Sequence, residues 1–339
     1  MDRLSITNVQ DKEFGRQLMT KLEGRRFPLS GQWEITCRCN LRCVMCYTDC
    51  FNTPDRLRQE LTFPEIVRIM DEIQEAGCLE LILTGGEPLA RRDFLDIYAY
   101  AKQKGFLVEV FTNGTLLTEK IADYWMQYPP SMIEISFHGL TEESFERITQ
   151  GPGSYERCLE GIRLILERHL PFTLKTTGMT LNRDEILMIK AYVDGLGRDY
   201  QTKVWYKLGS DIRPRLDGSQ DVYEFQLPEQ DVIAIEQADQ DFRAERCRQD
   251  GQKAEMIRQG KPLCGGGRYK FHIDAYGQLQ LCSKNRRRSY DLRRGSFQEG
   301  FYKVMPQFPC PARQPEPVQE LVSIERTEKV PNPRLTVND

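Results

Sequence analysis

Cys39, Cys43 and Cys46 stand in the spacing C-x3-C-x2-C, flanked by Cys37 and Cys50, so that five thiols crowd fourteen residues. Thiolates this dense are metal ligands by chemistry. Three of them can hold three irons of a cubane cluster and leave the fourth iron open to an outside chelator. A structural zinc ion would take four ligands, and Cys37 or Cys50 could supply the fourth. The cysteines alone leave both chemistries standing. Farther on, Gly85-Gly86-Glu87-Pro88 sets two residues without side chains beside a carboxylate, which suits close approach of backbone to a ligand. Cys264, Cys282 and Cys310 are spread through the last quarter, whereas Cys78, Cys158 and Cys247 stand alone and are expected to be small buried hydrophobes.

Eleven cysteines in 339 residues would suggest a disulfide frame in a secreted protein. The count is odd, and Met1-Asp2-Arg3-Leu4-Ser5 lacks the basic start and apolar stretch of a signal peptide, so the chain is expected in the cytoplasm with reduced thiols. Hydrophobic residues make up 40% and charged residues 29%, an ordinary soluble balance. No apolar run reaches the ~20 residues of a membrane helix, so no membrane partner is expected. A net charge of −3 gives no global attraction to nucleic acid, and any basic site must be local.

The elements that must position these residues follow from periodicity. Short runs rich in branched and aromatic residues at 33–36, 79–84, 107–112, 132–137, 172–177 and 203–208 read as strands. Between them lie helical patterns. Thr62 with Glu65 makes a capping box, Ile66, Ile69, Met70 and Ile73 form an apolar face, and Gly77 supplies a stop. Phe94, Ile97, Tyr98 and Ala101 repeat the pattern before Gly105. Asn182 with Glu185 is expected to open a further helix carrying Ile186, Ile189 and Val193. Six strands alternating with helices imply an α/β fold with parallel pairing and right-handed crossovers. Six units are fewer than the eight of a closed barrel, so a partial, TIM-like (β/α)6 barrel is expected, with its chemistry at the C-terminal ends of the strands. The cysteine group, Gly85–Pro88 and Asn113-Gly114 all follow strands.

The division expected along the chain is an extension over 1–30, the barrel core over 31–210, a helical linker or insertion over 211–262, a cysteine-bearing region over 263–313 and a flexible, proline-rich tail over 314–339. From Pro228 to about Gln259 the pattern is one polar helix with Val232, Ile235, Ala238 and Phe242 as its thin apolar face. Between Lys284 and Arg294, five arginines face one acid. Such a run is either a solvated loop or a dock for an acidic peptide or phosphates. His169 and His272 receive no role.

C-x3-C-x2-C followed by an aromatic, Tyr47, and then by Gly85-Gly86-Glu87-Pro88 resembles the radical S-adenosylmethionine (SAM) superfamily over about residues 30–210. The resemblance implies that Cys39, Cys43 and Cys46 hold a [4Fe–4S] cluster whose free iron chelates the amino and carboxylate groups of SAM. It implies that Gly85, Gly86, Glu87 and Pro88 receive the SAM amino group, with the Glu87 carboxylate as an acceptor for the ammonium. Asn113, within Thr112-Asn113-Gly114, is similar to the family's polar turn near SAM. Ser136 lies where relatives read I-S-x-D-G and contact the ribose, and here His138 replaces the usual Asp. Lys175 in the fifth strand is a further candidate to point at SAM; the alternative for Ser136 and Lys175 is simply to face a polar barrel interior. The implied activity is reductive cleavage of SAM to a 5′-deoxyadenosyl radical that abstracts hydrogen from a substrate, with a ferredoxin or flavodoxin as the kind of electron donor.

Cys264 and Cys282, spaced as C-x12-G-x4-C with Gly277 as a hairpin turn, are similar to the opening of SPASM and twitch extensions. That likeness implies an auxiliary iron–sulfur cluster on Cys264, Cys282 and Cys310, its fourth ligand being Cys247, a non-cysteine group or an open site. The denser cysteine group of a full SPASM domain is missing, and a degenerate extension without metal is the alternative. Such extensions recur in peptide maturases, so a ribosomally made peptide is the expected substrate, with small-molecule chemistry of the haem type as the alternative.

Overall fold

A computed structural model describes residues 17–310 apart from 49, 201–203, 210 and 262; the proline-rich tail lies outside the described residues. Six parallel strands form the barrel wall: β1 (Ser30–Glu34), β2 (Glu80–Thr84), β3 (Leu107–Thr112), β4 (Met132–Ser136), β5 (Phe172–Thr177) and β6 (Trp205–Gly209). They pair in sequence order, each joined to the next by at least one helix, as a right-handed α/β wind requires. The crossing helices are α1 (Pro54–Arg58), α2 (Phe63–Glu75), α3 (Phe94–Gln103), α4 (Glu119–Gln127), α5 (Glu142–Thr149), α6 (Ser154–Glu167) and α7 (Ile186–Asp199). The expected partial barrel is present, with the first strand starting and ending slightly earlier than its apolar run suggests.

Burial follows periodicity closely. Ile66, Ile69, Met70 and Ile73 of α2 are fully enclosed, as are Ile97, Tyr98 and Ala101 of α3 and Ile186, Ile189 and Val193 of α7. The Glu65 carboxylate accepts the Thr62 N–H at 2.7 Å, which closes the start of α2. The expected box at Asn182 and Glu185 does not form. The Asn182 side chain bonds Met179 N, His138 O and Thr177 O, while the Glu185 carboxylate accepts from Leu140 N and Ser144 Oγ. Tertiary donors outcompete the local cap, and a 3-10 turn over Arg183–Glu185 precedes α7.

The sheet does not stop at β1. On its free edge β7 (Lys270–Ile273) adds in parallel, and β8 (Gln278–Gln280) and β9 (Tyr290–Asp291) follow antiparallel, giving nine strands in one sheet. Gly277, at φ +85°, makes the β7–β8 turn in the left-handed region that glycine enters without strain. The polar segment expected as one helix is two: α8 (Glu229–Ala238) and α9 (Gln240–Arg258). Asp239 between them is extended, and its carboxylate caps α9 by accepting from Asp241 N and Phe242 N at 3.0 Å. Cys247 sits exposed on α9, contrary to the expectation of burial, because that helix buries no residue at all; Cys78 and Cys158 are buried as expected. No described helix is long and apolar enough to cross a membrane.

Candidate active site

The loop after β1 carries the cysteines, and hydrogen bonds hold it from several sides. The Glu60 carboxylate receives Thr36 Oγ1–H and Cys37 N–H, both at 2.7 Å. Arg42 N and Val44 N donate to Thr149 O and Ile148 O at the end of α5. Arg215 grips the loop's other end, donating to Cys46 O and Val44 O at 3.1 Å each. Asn52 closes the segment by accepting from Cys39 N at 3.2 Å and donating to Cys39 O at 2.8 Å.

Cys39, Cys43, Cys46 and Cys50 all line one cavity of about 600 Å³ at the C-terminal mouth of the barrel. Cys37 turns the other way, its thiol donating to Glu60 at 3.1 Å and to Phe51 O at 3.4 Å. Burial pushes the Cys43 thiol up to about 12, with Cys46 beside it acting in the same direction. Iron binding must therefore displace these protons. Among the described residues no three His, Cys, Asp or Glu side chains converge as ligands of a single ion do. A cubane makes no such demand, since each thiolate sits on a separate iron.

Gly85 and Gly86 line the same cavity as the cysteines. Gly86 N–H donates to Thr36 O at 2.9 Å and Glu87 N–H to Arg38 O, so the glycine turn is stitched to the approach to the cysteine loop. A Cβ on Gly85 or Gly86 would strike the carbonyl oxygens of Thr36 or Arg38, which leaves room for hydrogen alone. Pro88 is buried in the 3-10 turn behind. Glu87 departs from expectation. Its carboxylate does not face the cavity but is fully buried, accepting from Thr112 Oγ1 at 2.8 Å, Asn113 N at 2.6 Å and Leu89 N at 3.0 Å. Burial raises its pKa to about 7 despite these three donors. Glu87 thus positions the glycine turn and the Asn113 turn against each other.

Asn113 lines the cavity and bridges to the cysteine loop, its amide donating to Asn40 Oδ1 at 3.0 Å. Ser136 and Lys175 also reach the cavity from β4 and β5. Lys175 is engaged, with Nζ 3.0 Å from Glu134 Oε1 and lying over the Phe111 ring. His138 is buried beside it, and burial with the nearby Lys175 charge lowers its pKa to about 3. Its Nδ1 accepts Thr177 N–H at 3.2 Å, so the ring is neutral with its proton on Nε2.

Tyr47 follows the last motif cysteine and has two guanidinium groups over its ring, Arg213 at 4.8 Å and Arg286 at 5.4 Å from the ring centre. Nothing in the local sequence announces either partner. Arg286 is not part of a solvated run: it donates to both oxygens of buried Glu34 at the end of β1, one at 3.0 Å, and His272 Nε2 lies 3.3 Å from the same carboxylate. Burial alone would raise the Glu34 pKa, but the Arg286 charge and hydrogen bonds from Arg286 and His272 bring it down to about 2. Arg293 is fixed too, on Glu65, Gln59 O and Tyr276 O, while Arg287 and Arg288 are exposed.

The late cysteines lie near one another. Gly266 N–H donates to Cys264 Sγ at 3.3 Å, and a Cβ on Gly266 would sit 3.7 Å from Cys282 Cβ. Asn285 N donates to Cys282 O at 3.1 Å, and its side chain to Pro309 O, next to Cys310.

Residues 33–193 match the family model of the radical SAM superfamily. An AdoMet-dependent heme synthase of Methanosarcina barkeri is 36% identical over 154 residues, covering 45% of this chain and 44% of the relative. A PqqA peptide cyclase of Granulibacter bethesdensis is 36% identical over 144 residues, 42% of this chain and 37% of the relative. The chain thus matches less than half the length of these curated relatives. Among solved structures, anSMEcpe with bound AdoMet superposes with a TM-score of 0.63 at 17% identity, covering 82% of this chain and 81% of that one. Streptococcus suis SuiB bound to S-adenosylmethionine gives 0.61 at 13% identity, covering 89% and 73%; both show the fold. Sequence match, barrel and cysteine loop agree over residues 33–193, the stretch of the chain that matches the radical SAM superfamily.

Proposed function

We propose that this protein is a radical SAM enzyme acting on a ribosomally made peptide. The observation that carries the reading is one cavity that gathers Cys39, Cys43 and Cys46 with Gly85, Gly86, Asn113, Ser136 and Lys175. These residues fit the implied group: three thiols on one loop for a [4Fe–4S] cluster, and in the same lining a glycine turn whose backbone groups can be offered to the amino acid part of SAM. When bound, cluster and SAM together supply a reductively generated 5′-deoxyadenosyl radical that removes hydrogen from a substrate. The chain's own contribution is placement. Glu87 fixes the glycine turn, Asn113 ties that turn to the cysteine loop, and Tyr47 with its two arginines forms a rigid wall. His138 offers a neutral N–H donor, and Lys175 is held by Glu134 so that its charge stays at the cavity floor.

The lining supports this choice of substrate. Lys175, Arg213, Arg246, Lys253 and Lys284 line the cavity with Glu134 and Asp211, and although Lys175 is paired with Glu134, Lys284 with Asp211, and Arg246 and Lys253 with Asp250, the cations offer carboxylates a set of exchangeable partners. α9, which brings Arg246 and Lys253 to the lining, buries no residue, so its side chains are accessible to an extended chain. A peptide with acidic residues answers both features. Incubation of enzyme, SAM and reductant with precursor peptides encoded by neighbouring genes is expected to change the mass of one peptide and release deoxyadenosine, with binding weakened by salt. If no peptide changes while a carboxylate-rich small molecule does, the haem-type alternative replaces this reading; the matching heme synthases give that alternative its weight.

An auxiliary cluster on Cys264, Cys282 and Cys310 belongs to the same proposal. Anaerobically reconstituted protein is expected to hold about eight irons, and the variant with all three changed to Ala about four while still cleaving SAM. A wild-type count of one cluster would reduce the extension to scaffold.

A further inference from the structure

Three thiols suffice for the proposed cluster, yet four face its cavity. Cys50 Sγ lies 3.5 Å from Cys46 Sγ, and Thr48 Oγ1 sits between them at 3.3 Å and 3.2 Å. The placement is built rather than incidental. Asn52, two residues on, is bonded in both directions to the backbone of Cys39, so the chain carrying Cys50 is folded back onto the first motif cysteine. Arg56 stacks over Phe51 at 4.9 Å and secures the return. Cys37, the other spare thiol, is directed at Glu60 and is absent from the cavity lining. Cys50 also lines a second cavity of about 550 Å³, together with Cys43, Cys46 and Arg42. Of the two extra cysteines, one is therefore withdrawn and the other lies with Cys43 and Cys46 in both cavities.

Thiolate is the natural ligand for an iron that three other thiolates leave incomplete. We propose that Cys50 is an exchangeable fourth ligand of the cluster, bound to its open iron while SAM is absent and displaced when SAM chelates that iron. This rests on the reading of the site given above. The exchange involves no electron transfer: one iron–sulfur bond breaks, the bonds from the SAM amino nitrogen and carboxylate oxygen form, and the proton that the SAM ammonium gives up on binding passes to the released thiolate. The device would keep the cluster coordinatively closed when no SAM is present.

The test compares anaerobically reconstituted wild type with Cys50→Ala and, as control, Cys37→Ala. Without SAM, iron loss to an excess of chelator is expected to be about tenfold faster in Cys50→Ala than in the other two. With saturating SAM all three should lose iron at one rate, which also shows that the variant is folded. SAM should bind Cys50→Ala severalfold more tightly, since its competitor is gone, and the electron paramagnetic resonance signal of the reduced SAM-free cluster should differ between wild type and Cys50→Ala but coincide once SAM is added. Equal chelation rates, equal affinity and identical SAM-free spectra would overturn the proposal, and so would a variant that cannot keep iron even with SAM, which would make Cys50 a permanent ligand. A wild-type protein that assembles no cluster would instead sink the reading of the site itself.

Discussion

Changing Cys39, Cys43 or Cys46 to Ala is expected to reduce deoxyadenosine formation to the background of the metal-free protein. Each thiol faces the cavity from a loop whose backbone is fixed by Glu60, Thr149, Arg215 and Asn52, which holds each motif cysteine at its own place. Removing one thiolate removes the only protein bond to one iron corner. Cys37→Ala should behave differently, since its thiol is turned to Glu60 and burial drives its pKa up to about 12. Iron content and deoxyadenosine release of the four variants, measured anaerobically with reductant, decide the matter. Full activity in Cys43→Ala, or its loss in Cys37→Ala with the motif variants intact, would show that the register of ligands is wrong.

The second large effect is on stability. Arg286→Ala should destabilise the fold by about 3–5 kcal/mol, the usual cost of leaving a buried charge without its partner. Glu34 is enclosed by β1, β7 and the cysteine loop, where water cannot replace the guanidinium. The pH dependence has a definite sign. With its folded pKa lowered to about 2 from 4.5, Glu34 contributes its full stabilisation above pH 4.5 and loses it as pH falls toward 2, roughly 3 kcal/mol in all. Glu34→Gln should flatten that part of the profile, and adding it to Arg286→Ala should recover part of the loss, because the stranded charge is gone. Denaturant unfolding at pH 7 and pH 3 measures both. An Arg286→Ala variant within ~1 kcal/mol of wild type would mean that Glu34 finds another partner or takes up a proton at little cost.

That pair also marks where sequence reading stops. The faces of α2, α3 and α7 were legible because apolar residues three and four apart have one physical solution. The hairpin at Gly277 was legible because a left-handed turn needs glycine. The cysteine spacing and the two glycines before Glu87 were legible because their chemistry is local. Glu34 and Arg286 lie 252 residues apart, and no periodicity links them. His272 looked idle for the same reason, and the arginines between Lys284 and Arg294 looked like a solvated loop or a dock, although Arg286 and Arg293 each hold a distant carboxylate. The inward turn of Glu87 depends on three donors brought together by two strands. The break at Asp239 was visible only as an aspartate inside a polar helix, where a cap and a solvated side chain look alike.

β7 pairs along the outer side of β1, with Gly31 leaving space for the Phe271 ring against the backbone. The strand that launches the cysteine loop is thus an interior strand only because the C-terminal region covers it. Cutting the chain ahead of β7 would bare a row of backbone N–H and C=O groups next to the cysteine loop, an invitation to pairing with another chain. Anyone grafting this barrel onto a different C-terminal module must therefore bring the β7 strand along as part of the barrel.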